Sequence, residues 1–195
     1  MGAVLAALIA SGCSLDPPDV RDAKSSVRAF ATALRLHDAE RLRSISSCVV
    51  ATEGISDARF RYLDPLRSTT VAALDSLAAL YSEAQRLADS SYAAVPDSAA
   101  DLESRFERAR SLARRAATTR AARRAADVSG AGTAAATGAT LRSIRAHVLV
   151  RFAGEAVGPA AIERDTIVRL LRAPGGAWIV YAFDLASDAP APLPY

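Results

Sequence analysis

The stretch AHVLVRF, residues 146–152, decides the fold of this chain of 195 residues, because here the apolar spacing changes from helical to alternating. The alternating sets are Ala146, Val148, Val150 and Phe152 against His147, Leu149 and Arg151. A period of two places successive side chains on opposite faces of a β-strand. The pattern therefore predicts a half-buried strand in the last third of the chain.

Two more strands follow this one. Residues 154–159 and 173–176 contain the glycine and proline typical of turns, and they bound apolar segments at 162–171 and 178–185. Short turns between consecutive strands favour antiparallel pairing. The sequence predicts a meander of three strands, and the ambiguous residues 49–63 allow a fourth.

Helices precede the sheet. Apolar residues recur at helical spacing from Val27 to Leu34 and predict a helix from about Asp19 to Leu36. Asp38 is the expected N-cap of a short second helix that carries Leu42 and Ile45.

Residues 64–128 predict a long helical hairpin inserted before the sheet, and residues 129–138 predict a low-complexity linker after it. Asp64-Pro65 favours a helix start, and Ser98 followed by Asp101 resembles a capping box for the second helix of the hairpin. We therefore expect an α+β fold, with N-terminal helices and the hairpin packed on a C-terminal antiparallel sheet of three to four strands.

Arginine dominates the cations, with 23 Arg against the single Lys24, and the net charge is +3. Eight arginines lie between Arg105 and Arg124, opposed only by Glu107. That segment has one Phe and no Trp or Tyr, so it lacks base-stacking groups, and we expect no nucleic-acid partner. A solvated helix face is the favoured interpretation, and contact with anionic lipid head groups is the alternative.

The chain begins MGAVLAALIASGCSLDPPD, in which an apolar run ends at a cysteine and is followed by prolines. Ala10-Ser11-Gly12-Cys13 resembles the lipobox of bacterial lipoproteins. The resemblance implies a signal peptide at 1–12, acylation of Cys13 and a lipidated tether at 13–19. It also implies a location in the cell envelope, on the outer side of the cytoplasmic membrane or on the outer membrane. Residues 187–195 are rich in proline and predict a disordered tail.

The order of elements resembles nuclear-transport-factor-two-like, or SnoaL-like, domains. The resemblance rests on the first helix at 27–34, the corner at His37-Asp38 and the end of the meander at 175–180. It covers residues 20–48 and 141–186, and it implies a curved sheet that wraps helices into a cone with an apolar pocket. The length of the chain suits one domain, expected over 20–186. The residues expected to line that pocket are Phe30, Leu34, Trp178 and Tyr181.

Ionisable side chains that such a pocket could hold are few: His37, Asp38, His147, Asp165, Tyr181 and Asp184. His147 is expected on an edge-like strand, and no candidate forms a recognisable catalytic motif, so no catalytic residue is assigned. The two histidines are 110 residues apart and no cysteine pair accompanies them, so we expect no metal site and no cofactor. Cys48 lies among apolar residues and is expected to be a buried thiol.

Three functions are compatible with the sequence. The first is a non-enzymatic lipoprotein domain that binds a small apolar ligand or an envelope protein. The second is a tethered pocket enzyme, an isomerase or hydrolase of small hydrophobic substrates. The third is a docking role for the helical hairpin, which an exposed Leu or Phe stripe would support.

Overall fold

The computed structural model describes residues 16–91, 98–131, 138–154 and 158–185 and folds them into an α+β domain. The helices are α1 (Pro18–Arg35), α2 (Ala39–Ile45), α3 (Val71–Ser91) and α4 (Ala99–Ala126), and α4 is followed by a kinked turn at Asp127–Ala131, where Gly130 has a φ of 100°. The strands are β1 (Ile55–Leu63), β2 (Arg67–Thr70), β3 (Thr140–Gly154), β4 (Gly158–Arg172) and β5 (Ile179–Leu185). The predicted fold class is confirmed.

The sheet is antiparallel with the order β1-β3-β4-β5, and β2 also pairs with β3. Leu63 lies opposite Ala146 and Arg67 opposite Ser143, so β1 and β2 follow one another along the same neighbour. The sheet therefore has five strands but is four strands wide. The stretch at 146–152 lies in β3, which has neighbours on both sides.

The helix predicted to begin at Asp64-Pro65 begins instead at Val71. Asp64 remains beside the sheet, where its amide donates to the carbonyl of Arg145 over 2.9 Å. Pro65 has no amide hydrogen to donate, and it lies between β1 and β2. Thr70 caps the helix instead, because its hydroxyl accepts a hydrogen bond from the amide of Ala73.

The other two predicted helix caps are confirmed. The carboxylate of Asp38 accepts from the amide of Arg41 over 2.9 Å, and the hydroxyl of Ser98 accepts from the amide of Asp101 over 3.1 Å. The first helix is also held by ion pairs. The guanidinium of Arg172 lies 3.0 Å from the carboxylate of Asp22 and 3.3 Å from that of Asp19. These contacts fix the start of α1 to the end of β4.

Helices cover both faces of the sheet, which gives two apolar cores. On one face α1 buries Val27, Phe30 and Leu34 in a core to which β1, β3, β4 and β5 contribute. On the other face the base of the α3–α4 hairpin buries Leu74 and several alanines of α4 against residues that include Leu141 and Leu171. The hairpin insertion thus packs on the face opposite to the first helix.

The two edge strands differ in how they end the sheet. β1 pairs irregularly with β3 at two places, between Ile55 and Asp57 and between Phe60 and Tyr62. At β5, Ser46 forms a parallel bridge with Val180, and the amide of Ser47 donates to the carbonyl of Val180 over 2.8 Å.

The predicted signal peptide, Cys13, most of the linker at 129–138 and the tail lie outside the described residues. The described start of that linker is ordered by Ser129, a buried residue. Its hydroxyl donates to the carbonyl of Ala177 and accepts from the amide of Ala173. Over the described ranges, no helix has both the length and the apolar character needed to cross a bilayer.

Candidate functional site

The four residues predicted to line an apolar pocket are all buried, but they lie in two different cores. Phe30, Leu34 and Trp178 belong to the core under α1, and Tyr181 belongs to the core under the hairpin. The sheet therefore separates Tyr181 from the other three. Phe30 also makes an edge-to-face contact with Phe183, with ring centroids 5.7 Å apart.

Trp178 leaves one polar atom without a protein partner. The residue is only 4% exposed, and its indole nitrogen has no hydrogen-bond partner among the described residues. Buried N–H groups are almost always hydrogen-bonded, so a bound molecule with an acceptor atom would satisfy this indole nitrogen.

A groove of about 800 Å³ lies on the surface between α1 and β1. It is lined from α1 by Arg28, Ala31, Thr32 and Arg35, from β1 by Ser56, Asp57, Ala58, Arg59 and Phe60, and from the hairpin of β3 and β4 by Arg151, Ala153 and Ala161. The lining contains four arginines and one carboxylate, and its apolar members are Phe60 and four alanines. None of the four predicted pocket residues borders it.

Four arginines face one carboxylate in this groove. Asp57 is paired with Arg59, whose guanidinium lies 2.6 Å away. Arg28, Arg35 and Arg151 form no ion pair within the described part of the chain, and the guanidinium of Arg28 lies 5.6 Å from the centre of the Phe60 ring. The lining of the groove therefore carries an excess of positive charge beside the ring of Phe60.

The sequence alone does not mark these arginines as a group. Arg28 and Arg35 are seven residues apart on a helix, hence two turns apart on one face, and Thr32 lies between them. That spacing was the available signal. Arg59 and Arg151 join them only through the pairing of β1 with β3, which the sequence left ambiguous.

A second polar cluster lies on the opposite face of the sheet, around His147. Its ring nitrogens lie 3.2 Å from a carboxylate oxygen of Asp165 and 3.4 Å from one of Asp64. Asp64 also pairs with Arg145, and Tyr62 stacks on the imidazole. The expectation of an edge strand for His147 is wrong, because β3 is paired on both sides, and the side chain is 12% exposed. Its nitrogens are occupied by carboxylates, which leaves little room for a substrate.

The same face holds a buried arginine. Arg169 lies 3.6 Å from the carboxylate of Asp184 and interacts with the hydroxyl of Tyr181. Burial raises the pKa of Tyr181, and the neighbouring Arg169 opposes part of that rise. The adjoining crevice, lined by Arg169 and Tyr181, measures only about 10 Å³, the size of one water molecule. This arrangement stabilises structure and offers no room for a ligand.

The remaining candidates do not form a site. Asp38 is a helix cap, and His37, beside it, is exposed with a φ of 52°. Cys48, expected to be buried, is only partly buried, and this partial burial raises the pKa of its thiol to about 11. Within the described ranges, no three potential ligands among His, Cys, Asp and Glu gather closely enough to hold a metal ion.

Comparisons with protein-family models, with curated proteins and with solved structures return no match for this chain.

Proposed function

We propose that this chain is a non-enzymatic binding module whose groove between α1 and β1 takes an anionic ligand, and that a lipid on Cys13 holds it in the cell envelope. The observation that carries the ligand class is the lining of four arginines with a single carboxylate. The lipid anchor rests on the lipobox-like sequence alone.

The chemistry of these arginines favours carboxylate or phosphate groups. Guanidinium groups bind both in a bidentate manner, and they lose less hydration than an ammonium group does. Arg28 and Arg35 are about 10 Å apart along the axis of α1, so they suit an anion with more than one charged oxygen cluster. Phe60, Ala31 and Ala58 provide an apolar surface for the rest of the ligand.

The anionic group that binds in the groove could belong to a soluble anion or to the head group of an anionic lipid. We would titrate the full chain carrying Cys13→Ser with inorganic phosphate and with citrate by isothermal calorimetry. Separately, we would measure its binding to phosphatidylglycerol vesicles and to phosphatidylcholine vesicles. Binding of the soluble anions indicates the first source, and binding restricted to phosphatidylglycerol indicates the second.

The test variant is Arg28→Gln with Arg35→Gln, and the matched control is Arg120→Gln with Arg124→Gln, which removes the same charge from exposed positions on α4. Charge-assisted hydrogen bonds contribute about 1.5–3 kcal/mol each, so the test variant should lose at least about tenfold in affinity. The control should change affinity less than about threefold. Equal losses in both variants would contradict binding in the groove.

A small apolar ligand is a second candidate, and the unpartnered indole nitrogen of Trp178 favours it. Such a ligand would carry a hydrogen-bond acceptor and would enter the core beside Phe30 and Leu34. Native mass spectrometry of the chain purified from its host tests this directly. A bound apolar molecule that Trp178→Phe releases would support it, and a ligand-free mass would contradict it.

The enzyme alternative, an isomerase or hydrolase, has less support. Its best general base is His147, and both ring nitrogens of that residue already lie beside carboxylates. The arginine groove holds Asp57, but Arg59 pairs with it. Neither His147 nor Asp57 adjoins a closed cavity, among the described residues, in which an apolar substrate could be held.

A further inference from the structure

We infer that the outer part of the α3–α4 hairpin pairs with the same segment of a second copy of this chain, so that four helices form an antiparallel bundle. We call this outer part, residues 75–91 and 98–115, the arm. The inference is independent of the groove and of the lipid anchor.

The arm extends beyond the core. Fully buried residues of the hairpin are confined to its base, at Val71, Leu74 and positions 116–126. None of the described side chains at 75–90 or 100–115 reaches that degree of burial. Sixteen residues of helix measure about 24 Å, so the arm is a long pair of helices without a core of its own.

Apolar side chains are exposed along both helices of the arm. Leu80 and Leu87 are 61% and 53% exposed and lie two turns apart on one face of α3. Leu102 and Phe106 are 46% and 56% exposed and lie one turn apart on one face of α4. A helix normally buries its apolar stripe against another element of structure. In a pair of helices, each helix buries only the side that faces its partner, and the other side stays exposed. A second pair of helices would cover what this pair leaves exposed.

The charges indicate which chain supplies that second pair. In the arm, α3 carries Asp75, Glu83 and Asp89 against Arg86, a net charge of −2. The arm segment of α4 carries five arginines against three carboxylates, a net charge of +2. In a two-fold dimer that places α3 of one copy beside α4 of the other, opposite charges meet at both contacts. The arm is thus complementary to itself.

Sedimentation equilibrium of the full chain carrying Cys13→Ser tests the inference. We expect a dimer. Replacing Leu80, Leu87, Leu102 and Phe106 together by Ser should raise the dissociation constant at least about a hundredfold, because each buried apolar side chain contributes more than a factor of ten. All four are exposed, so the domain should keep its far-ultraviolet circular dichroism. The control is Leu36→Ser with Val49→Ser, two exposed apolar residues outside the arm, which should leave the dimer unchanged.

A charge exchange tests the pairing itself. Variant one carries Glu83→Arg and Asp89→Arg, and variant two carries Arg108→Glu and Arg110→Glu; all four positions are exposed. Each variant alone should dimerise at least about threefold more weakly, and an equimolar mixture should recover the dimer as a heterodimer. A monomeric parent chain, a dimer that the four serines leave intact, or a mixture that does not recover would each overturn the inference. Monomeric binding of the arm to phosphatidylglycerol vesicles would overturn it as well.

Discussion

The imidazole of His147 lies flat against the phenol ring of Tyr62, with ring centroids 4.2 Å apart and the two planes 15° apart. The two residues are neighbours across β1 and β3, beside a bulge at Phe60 to Tyr62. This contact joins the edge strand to its inner neighbour on the face opposite α1.

Because Tyr62 and His147 stack, their substitutions should have coupled effects on the free energy of unfolding. His147→Ala should destabilise the domain by about 1–2 kcal/mol, because it removes the stacking and leaves Asp64 and Asp165 facing each other. Tyr62→Ala should cost about 1 kcal/mol. Urea unfolding of both single variants and the double variant measures the coupling, expected to be about 0.5–1.5 kcal/mol. Strict additivity would show that the rings do not interact energetically.

The buried ion pair of Arg169 and Asp184 predicts a larger effect. Asp184→Ala should destabilise the fold by about 2–4 kcal/mol in urea unfolding, because it leaves a guanidinium buried without its main counterion. Asp75→Ala is the matched control, since it removes a half-exposed carboxylate from Arg123, and it should cost less than about 1 kcal/mol. Equal losses would mean that burial of Arg169 does not matter.

Cys48 predicts a dependence on alkaline pH. Its pKa is about 11 in the fold and 9.0 in an unfolded chain, so the unfolded state binds fewer protons between these values. Stability should therefore fall as the pH rises from about 9 to 11, and Cys48→Ala should remove that part of the fall. The thiolate is the form that an alkylating reagent attacks. At pH 8, Cys48 of a Cys13→Ser chain should therefore be alkylated about a hundredfold more slowly in the folded protein than in the unfolded protein. Equal rates would contradict the burial.

Gly176 predicts a steric limit at the turn before β5. A Cβ at this position would lie 2.0 Å from the carbonyl oxygen of Ser129, which is backbone and cannot rotate away. Gly176→Ala should therefore destabilise the domain by at least about 2 kcal/mol, measured by thermal or urea unfolding. Gly138→Ala is the control, because a Cβ added there would meet no atom within 4 Å, and it should be neutral. A tolerated Gly176→Ala would show that the Ser129 contact is loose.

The sequence predicts the regular elements of this fold well and their placement less well. The alternation at 146–152 and the caps at Asp38 and Ser98 are local signals, and the structure confirms them. The prediction of a helix start at Asp64-Pro65 was wrong, because the same two residues are also compatible with a break between two strands. What decides between the two is the pairing of residues 67–70 with β3, some 70 residues later.

The candidate site shows the same limit more strongly. The spacing of Arg28 and Arg35 is visible in sequence, but Arg59 and Arg151 reach them only through strand pairing. Apolar character correctly placed Phe30, Leu34, Trp178 and Tyr181 in the interior, yet it could not tell which face of the sheet each one occupies. That division follows from strand register and from the bulge where Arg169 and Leu170 pair with β5.

The bridge from Ser46 to Val180 has a consequence for the behaviour of the chain in crowded solution. An unpaired edge strand is a template for a strand of another molecule, and such pairing leads to aggregation. At β5, the chain after α2 occupies the carbonyl of Val180, and at β1 two irregular pairings bend the strand. These features oppose the addition of foreign strands at β5 and at β1.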